Sequence, residues 1–268
     1  MSQSGGKSRK TYLNSLFKSS LRSVPRVLGR SSMATCMVVV ALQVPPSSKR
    51  RLVAGFTWYM QELCLRRNLT FTDDLRVKMM GRPGHISIAC MIEHHALVDD
   101  TVEGLLEESD LLFSGVLRER LDLMPGLLNL LDALEAANIP KGIATSSRRK
   151  YVDEVLGRFH LSGRFRFVIS ADNVTHGKPH PEVYLAAAQR HGVSAQEMLV
   201  LEDSQNGCAA AVAAGAFAVA VPGIHSRTHD FTGAKIVAPS LREPAIYEAL
   251  GLTAANDAAT LSSSPSIQ

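Results

Sequence analysis

Three short stretches carry the side chains best suited to chemistry. The first is MLVLEDSQNG, residues 198–207, where an apolar run ends on Glu202 and Asp203 side by side. Strands deplete Asp and Glu, and adjacent carboxylates repel unless something positive lies near them. A hard divalent cation held through oxygen, most simply magnesium, accounts for the pair; so does an acid pair that complements a helix dipole. The second stretch is Thr145-Ser146-Ser147, directly after a short apolar run. Thr145 and Ser146 at a helix start could cradle a phosphate oxygen, or serve as an ordinary N-cap. The third is Gly177-Lys178-Pro179. A lysine with a fixed backbone origin can balance phosphate charge and hold a carboxylate, or simply be solvated.

The elements around these stretches alternate between strand and helix. Leu127, Leu128, Leu130, Leu131 and Leu134 have helical spacing, closed by Asn138 and Pro140. Strands are expected over 141–144, 166–170, 198–201 and 216–221. Helices are expected around Tyr151–Leu156, from Pro181 at a first helical position to Gly192, and over 208–214. This rhythm predicts a parallel sheet with right-handed crossovers, and in such sheets ligands sit outside the carboxyl ends of the strands. All three stretches fall at such ends.

Upstream, residues 58–121 read as helices only, over 58–68, 85–95 and 102–121, with a turn and helix cap at Thr70–Asp74. Residues 1–51 differ again, with ten Lys or Arg and no acid. The rest of the chain holds 19 basic against 25 acidic residues, so the excess positive charge belongs to the leader and gives no argument for nucleic-acid binding. The leader reads as a disordered basic tail, an organelle transit peptide, or residues foreign to the native protein. No apolar run approaches the ~20 residues of a membrane span. Four scattered cysteines without metal-like spacing predict reduced thiols and a cytoplasmic protein, or an organellar one if the leader is a transit peptide. His180 and His191, near the lysine loop, read as surface or helix-end residues.

From about Trp58 to Leu252 the sequence resembles the haloacid dehalogenase-like hydrolases, in the helical-cap branch of β-phosphoglucomutase-like enzymes and small phosphatases. The resemblance rests on Lys78-Met79-Met80-Gly81-Arg82-Pro83, Met124-Pro125-Gly126, Ala144-Thr145-Ser146-Ser147, Gly177-Lys178-Pro179 and Leu201-Glu202-Asp203-Ser204 with Asn206-Gly207. It implies an α/β fold, a Rossmann-like parallel-sheet core with an inserted helical cap. The expected divisions are a leader over 1–51, a residual core strand over 52–57, a cap over 58–123, a core over 124–252 and a flexible tail over 253–268. It also implies magnesium-dependent phosphoryl transfer through an aspartyl-phosphate, on a small phosphorylated metabolite such as a sugar phosphate. Thr145 and Lys178 would be catalytic, with Ser146, Ser147, Arg82 and His85 also meeting phosphate or substrate. Glu202 and Asp203 would hold the metal.

One part of that pattern is missing. The family carries Asp-x-Asp-Gly after its first core strand, just before the cap, yet no aspartate precedes Asp73. Where the motif belongs the chain reads Arg51-Leu52-Val53-Ala54-Gly55-Phe56-Thr57-Trp58. The run Met37–Leu42 could supply a central strand, but Gln43 and Val44 follow it. No nucleophile is found, which opens a second expectation: a catalytically inactive relative that binds a phosphorylated ligand or a protein partner.

Overall fold

The computed structural model describes residues 37–40, 55–119 and 123–253. Six parallel strands make one sheet, in the order β3-β2-β1-β4-β5-β6: β1 (Met37–Val40), β2 (Lys141–Ala144), β3 (Val168–Ile169), β4 (Met198–Glu202), β5 (Phe217–Ala220) and β6 (Ile236–Val237). From β1 the chain proceeds to one side through β2 and β3, then crosses to β4 on the other. The switch point therefore lies between β1 and β4, where Val40 pairs with Leu201, one residue before Glu202. A crevice at this point is the ordinary ligand site of an open parallel sheet.

Alternation along the strands sorts the core onto two faces. Ile143, Leu199, Leu201 and Val219 pack with the leucines of α5 (Leu127–Ala136) and with α6 (Arg149–Arg158) and α9 (Pro244–Ala249). Ala144, Met198, Val200, Ala218 and Ala220 face α7 (Glu182–His191) and α8 (Gln205–Ala213). The second face is lined mostly by alanines, so these helices pack close to the sheet. At Gly207 a Cβ would stand 2.1 Å from the Glu202 carboxylate, and only glycine leaves the space.

A separate apolar core is built by α1 (Gly55–Leu65), α2 (Asp73–Met79), α3 (Gly84–His95) and α4 (Val102–Glu119), with Met60, Leu63, Leu75, Met79, Ile88 and Met91 buried together. Thr72 caps α2 by accepting the Leu75 N–H. Arg67 binds Asp100 and Glu108, tying the end of α1 to α4.

Several expectations change. Residues 37–40, placed within the leader, are the central strand that the run Met37–Leu42 could supply, held on both edges by β2 and β4, so the leader boundary changes. Residues 55–57 of the expected residual strand are helical, because α1 begins at Gly55. Pro181 is the N-cap of α7, outside its first turn. Of the strand expected over 166–170, β3 itself spans Val168–Ile169, while the Arg166 N–H and the Phe167 carbonyl also bond to the backbone of β2. The remainder of the leader, residues 52–54 and the tail beyond Thr253 lie outside the described residues. Cys64, Cys90 and Cys208 are free thiols, and among the described residues no helix is long and apolar enough to cross a membrane.

Candidate active site

The structure brings Thr145, Lys178, Glu202 and Asp203 into one buried cluster at the carboxyl ends of β2 and β4. Lys178 is only 4% exposed, which rules out the solvated loop lysine. Its Nζ donates to Glu202 Oε1 at 2.5 Å and to the Ala144 carbonyl at 3.2 Å. Gly177 lets this loop approach the cap, since a Cβ there would lie 2.0 Å from the Pro83 ring.

The adjacent acids have separate jobs. Glu202 shares the strand parity of Met198 and Val200, so it points toward α7, where the buried Tyr184 hydroxyl donates to the same Oε1. Its Oε2 accepts from the Ser204 hydroxyl at 3.1 Å and the Asp203 N–H at 3.2 Å. Both oxygens of Glu202 are thus committed to protein donors. Asp203, 5% exposed, has a buried Oδ1 with no partner. Burial, and next the Glu202 charge, push its carboxyl well above the ordinary carboxylate range. An unpartnered buried carboxylate oxygen is the donor a divalent cation would take. Of the two expected metal ligands, the structure leaves this one free.

Thr145 is buried, with its N–H donating to the Ile169 carbonyl at 2.9 Å and its Oγ1 accepting from the Ser147 N–H at 3.1 Å. It does not open a helix: α6 starts four residues on, after Arg148. The turn 145–147 instead curls its backbone around the threonine hydroxyl, a local Ser/Thr turn that places this hydroxyl at the strand end. The Ser147 carbonyl accepts from the Ala171 N–H at 3.1 Å.

A buried lysine–carboxylate pair, a free carboxylate and a hydroxyl turn at a switch point are the parts of a phosphoryl-transfer site. The profile described as haloacid dehalogenase-like hydrolase matches residues 69–221. Phosphoglycolate phosphatase of Escherichia coli K12 is 30% identical over 187 residues, covering 68% of this chain and 70% of that protein. The chain belongs to the haloacid dehalogenase-like hydrolases. Plasmid-encoded CbbY of Cupriavidus necator is 39% identical over 129 residues, half of its own length. Among solved structures, a putative β-phosphoglucomutase from Bacteroides vulgatus superposes with TM-score 0.68 at 22% identity, over 89% of this chain and 98% of that one. CbbY from Rhodobacter sphaeroides, in complex with xylulose-(1,5)bisphosphate, gives 0.67 at 20% identity, over 78% and 96%. These likenesses confirm the α/β fold. By kinship this is a haloacid dehalogenase-like phosphatase, and its relatives support phosphatase activity on small phosphorylated substrates.

Within that family frame, the cap meets the site along a narrow seam. The Ser146 hydroxyl donates to the Gly81 carbonyl at 2.7 Å, and Asn206 Nδ2 donates to the Met80 carbonyl at 2.7 Å. Gly81, at φ +84°, abuts the Ser204 hydroxyl with no room for a Cβ. Arg82 follows in the same linker, with its Nε buried and unpartnered. His85 is exposed on the first turn of α3. A second attachment joins α4 to the start of α6: Asp110 binds Arg148 at 2.7 Å, Lys150 at 2.9 Å and the Tyr151 hydroxyl.

Two features escape sequence reading. Tyr184 looks like a core aromatic at helical spacing, and only the fold shows its hydroxyl on Glu202. The spacing His-x-x-x-His-x-Glu over 176–182 was the available signal for a second cluster, in which His180 stacks on His176 beside Glu182. His191 lies apart at the end of α7, 3.5 Å from Arg166.

Proposed function

We propose that this site serves magnesium-dependent phosphoryl transfer on a small phosphorylated metabolite such as a sugar phosphate or phosphoglycolate. The observation that carries the reading is the free, buried Asp203 Oδ1 beside the Lys178–Glu202 pair at the switch point. Magnesium binds through one or two carboxylates plus substrate phosphate oxygens, so a single free carboxylate fits it at the lower limit. Bound there, it would offset phosphate charge. The chain's own groups do the rest. Lys178, fixed by Glu202 and Ala144, presents its ammonium to phosphate oxygens; the Thr145 hydroxyl, which accepts within its turn, donates its own proton to them; the cap linker 81–83 closes over them and excludes water.

A second reading has its own observation. The residues after Val40 are Ala41-Leu42-Gln43-Val44, and no aspartate occurs before Asp73, so the sequence offers β1 no carboxylate nucleophile. On this reading the site binds a phosphorylated ligand without turning it over. One experiment separates the two: release of phosphate from p-nitrophenyl phosphate, phosphoglycolate and sugar phosphates, alongside calorimetric binding of the same compounds, with and without magnesium. Magnesium-dependent turnover lost in Asp203→Asn establishes the first reading. Binding without turnover establishes the second, and then Ala41→Asp with Gln43→Asp should raise hydrolysis by about 10²-fold or more. Neither binding nor turnover would sink both.

A further inference from the structure

We propose that His176, His180 and Glu182 form a binding site for one divalent ion of the zinc class at the outer root of the lysine loop. One ligand atom from each residue falls within 4.8 Å of the other two. Glu182 Oε2 stands 2.9 Å from His176 Nδ1 and 3.9 Å from His180 Nδ1, and the two rings lie 4.7 Å apart. Tetrahedral ligands at zinc, with bonds of 2.0–2.1 Å, are about 3.3 Å from one another, so these distances bracket what the ion needs. Small ring rotations close the difference at the cost of the long Glu182 N–H bond that His180 Nδ1 accepts at 3.3 Å, and the side chains have room for them, being 64% and 51% exposed at the histidines.

The carboxylate is already oriented. Glu182 accepts the Thr175 N–H at 2.7 Å on Oε1 and the His176 N–H at 2.8 Å on Oε2, which fixes it across the loop from the imidazoles. Outer contacts of this kind orient metal-binding carboxylates. Two imidazole nitrogens and one oxygen, with a fourth position open to water, favour zinc, nickel or cupric ions over magnesium, which prefers oxygen donors. The site is therefore chemically distinct from Asp203.

Its position gives it a consequence. The ligands bracket Gly177-Lys178-Pro179 in sequence, and Lys178 is the residue that reaches Glu202. An ion joining 176, 180 and 182 ties both ends of the segment from which the lysine projects. Such an ion would act on the loop from outside, touching no phosphate.

The test is a titration of the full, chelator-stripped chain with cobalt and then zinc, in excess magnesium. We expect one equivalent to bind, with the visible absorption of four-coordinate cobalt displaced by zinc. His176→Ala and His180→Ala should each weaken binding beyond the 10–100-fold that loss of an outer-shell partner costs, while His191→Ala leaves it unchanged. Both rings are exposed, so the fold should survive, as a retained far-UV spectrum checks; His180→Asn replaces any variant that loses it. No binding at one equivalent, or binding that persists in the double variant, overturns the proposal. The readout is metal occupancy, so it stands apart from whether the active site turns over substrate.

Discussion

Two strands flank the switch point, and their ends are built from opposite materials. β4 ends in Glu202, wired to Lys178, Tyr184 and Ser204 in a buried setting, with Asp203 directly after it. β1 is MVVV, and the sequence continues with Ala41-Leu42-Gln43-Val44, none of them ionisable. Both strands pair in register, so the sheet is satisfied equally on the two sides. The fold asks only for extended, apolar backbone at its centre; the chemistry asks for carboxylates just beyond it. One demand can be met without the other.

The strongest way to break this contrast is to remove the cation from the wired side. Lys178→Met keeps the volume but leaves Glu202 buried with only neutral partners. Removing one partner of a buried pair costs about 3–5 kcal/mol, and we expect that loss in urea unfolding at neutral pH. A change under ~1 kcal/mol would mean that Tyr184 and Ser204 alone hold Glu202, and that the pair is not what organises this flank.

Much of the wired flank was legible in the sequence. Acids at a strand end, a lysine between glycine and proline, and hydroxyls after an apolar run each break a local rule, and such breaks mark functional positions. What was not legible is the division of labour. Glu202 and Asp203 are equivalent as letters; strand parity sends one toward Tyr184 and leaves the other with a buried oxygen that has no partner. The central strand was legible only as a possibility, in the run Met37–Leu42, because a few apolar residues in a basic surround carry little periodicity. β6, with two residues, and α9, with six, are too short to give any. The break between 52–57 as strand and Gly55 as helix has the same cause: Leu52-Val53-Ala54-Gly55-Phe56 fits either pattern until its neighbours decide.

The adjacent acid should respond in the opposite sense to Lys178→Met. Asp203→Asn removes a carboxyl whose charged form burial and the Glu202 charge both disfavour, so the metal-free protein should gain about 1–3 kcal/mol where the parent must ionise it in place. The sign follows from linkage. The folded state holds the Asp203 proton to higher pH than the unfolded chain does, so this group favours folding in acid. That contribution is lost as pH rises from the ordinary carboxylate range through the raised native value. Stability against pH should therefore be flatter in Asp203→Asn, and the magnesium-induced rise in Tm should vanish. A variant less stable than the parent at pH 7 without metal would show that Asp203 already has a partner that neutralises it.

The smallest expected effect locates the edge of the wired flank. Ser146 lies beside Thr145 and was expected to bind phosphate, yet its hydroxyl donates to the Gly81 carbonyl across the cap seam. A hydroxyl committed there contributes as one neutral hydrogen bond, about 1 kcal/mol. Ser146→Ala should lower unfolding stability by that amount and leave phosphate affinity, read by calorimetry, within a factor of about two. If affinity falls tenfold while stability holds, the hydroxyl exchanges its cap partner for phosphate when ligand arrives. The site would then include both hydroxyls of the turn, and the seam would rest on Asn206 and Asp110 instead.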